Sequence, residues 1–213
     1  MTIRFIALSL LAAFAADAVI IDRIAVVASN SIVKDSDISR DLRVTEFLND
    51  QPLDLSEKAR KASANRLIDQ IFIRKEIQVG DYPVTSWQEA SRQVDSLVQK
   101  EFKSEAALLN RLNRYGITAP DLISHFLWQL TVLRFVDVRF KPAVLVTDAE
   151  IQQYYRQHLD ELRKQRPGKS SLADFREEIT DTLTGEKVNK LFFAWLDDQR
   201  KQNKIKYYER GLE

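Results

Sequence analysis

Strand-like runs stand at the two ends of a chain whose remainder has helical periodicity, and this limits the folds open to it. Near the start, residues 21–37 read IDRIAVVASNSIVKDSD. Ile24, Val26 and Ala28 alternate with Ala25, Val27 and Ser29, and a second run, residues 31–34, follows a Ser-Asn-Ser tip. This is the pattern of a short hairpin, with Asn30 suited to positive φ at the turn. An isolated hairpin is marginal in water and needs a third strand or a helical cover. The last residues supply a candidate, KIKYYE, with Ile205 and Tyr207 on one face and Lys204, Lys206 and Tyr208 on the other. If they pair, the two ends close one domain.

Between these ends the chain spells out helices. Asp35, Ser36 and Asp37 offer N-cap oxygens to a helix beginning near Ile38, and Pro52 ends it. Asp54 and Glu57 have capping-box spacing ahead of a helix burying Leu67, Ile68, Ile71, Phe72 and Ile77, which Gly80 terminates. Thr85 and Gln88 repeat the spacing ahead of Trp87, Ala90, Val94, Leu97, Val98 and Phe102. Ser104 caps a segment ending at Gly116, which suits a left-handed C′ position. Thr118 and Asp121 open a helix with Pro120 in its first turn, apolar on most sides as far as Phe140. Such a helix is expected to be central and covered. Lys141 and Pro142 break it, Thr147 and Glu150 cap the next helix, and Ser171 and Asp174 cap the last, in which Gly185 is a place for a bend.

The chain has 213 residues, 45% of them apolar, enough for a sizeable core in one domain or two small ones. Its first residues read as a secretory signal peptide over 1–18: a basic start through Arg4, an apolar run over 5–16, and small residues for cleavage after Ala15 or Ala18. A membrane span needs about 20 apolar residues, and Asp17 ends this run sooner. There is no cysteine, which excludes disulfides, thiolate metal sites and a cysteine nucleophile. The formal net charge is +1 with both signs interleaved, against the basic excess of a nucleic-acid binder.

Four runs carry a family resemblance. VIIDRIAVVASNSIVKDSDISRDL resembles the start of the SurA-type periplasmic chaperones, a family bearing parvulin-like prolyl isomerase domains. ANRLIDQIFIRKEI, VTDAEIQQYYRQH and KVNKLFFAWLDDQRKQNKIKY resemble further stretches of the same family, in the same order. The resemblance implies a mainly α-helical chaperone domain over residues 19–213, with a small sheet built from the N-terminal hairpin and the C-terminal strand. In relatives that bear the isomerase, the run resembling VTDAEIQQYYRQH leads into it; here residues 162–170 form a linker at that position. An average domain needs on the order of 100 residues, so no isomerase fits before Ser171. The implied protein is a periplasmic chaperone that binds unfolded envelope or outer-membrane polypeptides, without isomerase catalysis, cofactor or nucleic acid. The alternative is a dedicated structural or assembly subunit with one fixed envelope partner.

Few residues invite a chemical role. His125 follows Ser124, but a histidine on an apolar helix is more often packed than part of a triad. His158 lacks a second ligand at metal spacing, Glu150 is explained by capping, and the basic cluster at Arg163, Lys164, Arg166 and Lys169 adjoins Asp160 and Glu161. No catalytic or metal-binding residue is therefore assigned. Trp87, Phe102, Tyr115, Trp128, Tyr154 and Tyr155 are the candidates for a peptide-binding groove, since aromatic rings give large apolar contact with a polar handle. At helical spacing most of them also suit a core. Met1 is the sole methionine, so binding would use aromatic and aliphatic groups instead of a Met-rich surface.

Overall fold

The computed structural model describes residues 22–102 and 104–212. The expected signal segment, residues 1–18, lies outside the described residues. Three strands, β1 (Ile24–Ala28), β2 (Ser31–Lys34) and β3 (Ile205–Tyr207), form one antiparallel sheet in the order β2-β1-β3. The rest is mainly helical: α1 (Asp35–Leu48), α2 (Glu57–Val79), α3 (Trp87–Glu101), α4 (Glu105–Tyr115), α5 (Ala119–Arg139), α6 (Asp148–Gln165) and α7 (Leu172–Gln202). The mainly α fold with a small sheet made by both chain ends is thus the observed one.

The tail shapes the hairpin as well as covering it. Ser29, not Asn30, takes the positive φ, 54°. The Ser29 N–H donates to the Lys204 carbonyl at 3.0 Å, and its side chain lies 2.6 Å from Asn203 Oδ1, so the tail holds this residue in place. The β1–β2 register shifts between Ile24 and Val26, leaving Ala25 as an extra residue. This bulge buries both Ala25 and Val26, which strict alternation would not do. Gly211 lies against it: a Cβ there would stand 2.5 Å from the Ile24 carbonyl oxygen and 2.6 Å from Ala25 Cα.

Several helix starts differ from the sequence expectation. Helix α1 begins at Asp35; Asp37 accepts from the Lys34 N–H at 3.0 Å, and Asp22 takes the Ser36 N–H and hydroxyl at 3.1 and 2.6 Å. The caps of α2 and α3 are Ser56 and Ser86, not Asp54 and Thr85. Asp54 instead accepts from the Ser56 N–H at 2.8 Å, while buried Thr85 donates its N–H to Thr131 Oγ1 at 3.1 Å. Ser104, Thr118, Thr147 and Ser171 cap as expected, and Gly116 is left-handed with φ 65°.

Four apolar cores follow in order. The sheet packs on α1 and α2 through Val26, Val33, Ile38, Ile68 and Phe72. Phe47, Val94, Leu108, Leu112 and Leu122 join α1, α3, α4 and α5. Ile73, Ile77, Phe135, Val188 and Leu196 join α2, α5 and α7. Ile151, Leu162, Phe175 and Ile179 hold α6 on the first half of α7. At 31 residues, α7 is about 46 Å long and runs through Gly185 as one helix linking the last two cores. Residues 162–165 of the expected linker belong to α6, with Leu162 buried, so the irregular connection is confined to 166–171.

Candidate binding surface

Helix α5 carries part of the molecule's exposed apolar surface. It was expected to be covered on most sides, yet only Leu122, Thr131 and Phe135 are fully buried along it. Helix α3 covers one flank, while α1 and α7 touch others. Two separate places on α5 stay open: Leu133 is 62% exposed, and Val138, about 140° round the helix near its C-terminal end, is 51% exposed. Val84 and Trp87, at 63% and 49%, lie in the approach to α3 and at its first turn. Arg134 fixes this end of the α3–α5 pair by donating to Glu89 at 2.6 Å and to the Val84 carbonyl at 3.2 Å. The Arg134 guanidinium, with the N–H and hydroxyl of Ser86, holds the Glu89 carboxyl down at about 2.

Two clefts meet at Trp128. One, of about 460 Å³, is almost wholly apolar and is lined by Phe126, Leu130, Val132 and Leu133 with Gln93 and Gln129 at its edge. The other, of about 330 Å³, lies between β2, α1, α2 and α5 and is mixed, with Ile32, Leu67 and Ile71 beside Arg74, Asp121 and His125. The Arg74 guanidinium carbon stands 4.0 Å over the Trp128 ring. Arg74 makes no ion pair or hydrogen bond among the described residues, and crowding by its neighbours disfavours its charge although solvent reaches it. Burial likewise holds His125 below the usual histidine range. Nearby Asp41 is engaged by Arg66 at 2.5 Å and Ser63 at 2.7 Å, so it does not orient His125 toward Ser124.

The six candidate aromatics fall in three places. Phe102 and Tyr115 pack in the second core, where Phe102 stacks on Phe47 at 6.2 Å and Tyr115 meets it edge-on at 5.6 Å. The Tyr115 hydroxyl also donates to the Gln51 carbonyl at 2.8 Å. Tyr154 and Tyr155 belong to the α6–α7 core; Tyr154 stacks on His158 at 4.2 Å, and the Tyr155 hydroxyl donates to the Ser170 carbonyl. Trp87 is exposed at the start of α3, and Trp128, half-buried, packs against the third core while lining both clefts. Leu133, Val138 and Arg74 were not singled out in the sequence; a signal for Arg74 is its cationic head on the α2 row formed by Leu67, Ile71 and Gln78.

Among the described residues no cluster of three His, Asp or Glu side chains is placed to hold a metal, and no helix is long and apolar enough to cross a membrane. The chain matches no family model and no curated protein. Its resemblance to SurA-type chaperones therefore rests on its own four runs.

Proposed function

We propose that this protein is an exported, periplasmic holding chaperone that binds unfolded envelope polypeptides on the α3–α5 surface, without isomerase catalysis. The observation that carries the reading is the apolar cleft along α5, lined by Phe126, Trp128, Leu130, Val132 and Leu133, with Leu133 itself 62% exposed. Contiguous exposed apolar surface on a globular chain marks a place where another chain or molecule is bound. An unfolded segment would bury its own apolar groups there, and the binding would hold it by mass action with no covalent step. The four sequence runs support the same reading.

The test is aggregation of an unfolded β-barrel polypeptide, followed by light scattering. The purified protein should delay it at near-stoichiometric ratio. Leu133→Asp combined with Val138→Asp should abolish the delay while leaving the circular dichroism unchanged, because surface substitutions typically move stability within about 0.5 kcal/mol. No delay by the unmodified protein would overturn the chaperone reading, and full activity of the double variant would overturn the α5 surface. Uncatalysed proline exchange takes roughly 10–100 s, so acceleration above a heat-killed control would reveal an isomerase and refute the non-enzyme reading. Recovery of one stoichiometric partner from envelope extracts, in place of a spread of clients, would favour a dedicated subunit.

A further inference from the structure

The backbone of β2 offers a second surface, distinct from the apolar cleft along α5. Ser29 N–H bonds the Lys204 carbonyl and Tyr208 N–H bonds the Ala25 carbonyl, so residues 25, 27 and 29 direct their backbone groups toward β3. Val26 and Ala28 then bond β2, at Val33 and Ser31, and Val27 opposite Ile32 is the non-bonded pair. The N–H and carbonyl of Ile32 consequently point away from β1. β2 is an edge strand, so among the described residues they meet no other strand. The Lys34 N–H is already taken by Asp37, and the turn residues Ser29 and Asn30 precede Ser31. One open pair therefore seats only about three residues of an added strand, the length of a chain end and not of a through-running strand.

Beside this edge, α2 provides a floor. Leu67, Ile71, Arg74, Lys75 and Gln78 recur at three- and four-residue steps along one row of the helix, and they line two adjoining clefts of about 330 and 410 Å³ that also contain Ser31, Ile32 and Val33. The floor is polarised. At the turn end Arg74 and Lys75 make no ion pair among the described residues, and no carboxylate lines that cleft. At the other end stand Asp37, Asp41 and Asp121, with Arg40 3.2 Å from Asp121 and Arg66 2.5 Å from Asp41. A carboxylate is favoured only at the turn end.

We propose that the open edge of β2 takes the last residues of a partner polypeptide as a short fourth strand, antiparallel to β2, with the terminal carboxylate against Arg74 and Lys75. The proposal rests on the reading that this protein binds polypeptides, and it adds the part of the client that is recognised. Strand addition supplies main-chain hydrogen bonds, and side chains on alternate positions enter the clefts. Residues flanking the one opposite Ile32 face α2, so a client ending in an apolar side chain packs it over Ile71 while its carboxylate reaches the cations.

The experiment uses a hexapeptide of alternating valine and threonine ending in phenylalanine, fluorescein-labelled at its N-terminus, as free acid and as amide, read by anisotropy. The free acid should bind at least about ten-fold more tightly than the amide, and Arg74→Gln with Lys75→Gln should erase the difference. In the unmodified protein, saturating free acid should slow exchange of the Ile32 amide hydrogen at least about ten-fold. Equal binding of acid and amide, or an unprotected Ile32 amide, overturns the proposal. So does an amidated peptide with a glutamate side chain binding as well as the free acid, since that assigns the cations to acidic side chains. If neither peptide binds while aggregation is still delayed, the terminal-carboxylate site is refuted and the chaperone reading stands.

Discussion

Arg60 holds the two chain ends together, and its removal is the sharpest test of how this fold closes. The side chain is buried between α1, α2 and the C-terminal turn. Its Nε donates to the Leu212 carbonyl and Nη2 to the Gly211 carbonyl, each at 3.2 Å, while Nη1 reaches Ser39 Oγ at 3.4 Å and Nη2 pairs with Asp35. Arg60→Met keeps an apolar stem but deletes every donor. Asp35 is 43% exposed and can be rehydrated, so no charge is left stranded. The Gly211 and Leu212 carbonyls are not so placed, and each orphaned acceptor costs ~1–3 kcal/mol, offset by the guanidinium that no longer needs desolvation. The net loss is ~2–4 kcal/mol, or a fall in Tm of roughly 5–15 °C for a chain of this size. Urea unfolding followed by circular dichroism measures it. Deleting residues 204–213 removes the same acceptors, so Arg60→Met should cost less than half as much in the truncated protein. A loss below ~1 kcal/mol in the full chain, or equal costs in both backgrounds, would refute the closure argument.

Two further outcomes follow from the same geometry. Gly211→Ala drives a Cβ into the Ile24 carbonyl and Ala25 Cα, both backbone atoms that cannot swing aside, and should lower stability by ~1–3 kcal/mol in thermal unfolding. The Glu89 carboxyl is held at about 2 against an ordinary 4.5, so its contribution is complete above 4.5 and is lost as pH falls toward 2; Glu89→Gln should flatten the stability profile in that window, and an NMR titration midpoint near 4.5 would contradict the Arg134 contact.

What could be read in the sequence was what depends on spacing along the chain. Thr118 with Asp121, Thr147 with Glu150 and Ser171 with Asp174 each place two oxygens at the reach of a first helical turn, and the distant cations that join them, Arg40 at Asp121 and Lys187 at Glu150, leave the caps intact. The closing strand was legible for the same reason, since Ile205 and Tyr207 alternate with charged neighbours. Spacing fails where a distant group claims a residue. Thr85 and Ser86 are both competent caps; Thr85 is buried with its N–H donating to Thr131, 46 residues away, and its hydroxyl bonds no described group, which leaves the role to Ser86. The bulge at Ala25 is likewise set by Gly211 and Tyr208 from the far end of the chain, and Arg60 is one of three basic residues among the first five of α2, with nothing local to mark it.

The candidate surface shows the stronger form of this limit. An apolar helix such as α5 announces that its sides prefer cover, but periodicity does not say how many neighbours will arrive. Helix α6 packs elsewhere: the connection through 141–147 sends it onto the first half of α7 in a core of its own. The aromatics divide along the same line: Tyr154 and Tyr155 stay with α7, Phe102 and Tyr115 close on Phe47, Trp128 packs half-buried against the third core, and Trp87 alone of the six remains exposed. An apolar side chain becomes available to a client through the placement of the helix that does not cover it, and that placement is decided by contacts the local pattern does not contain.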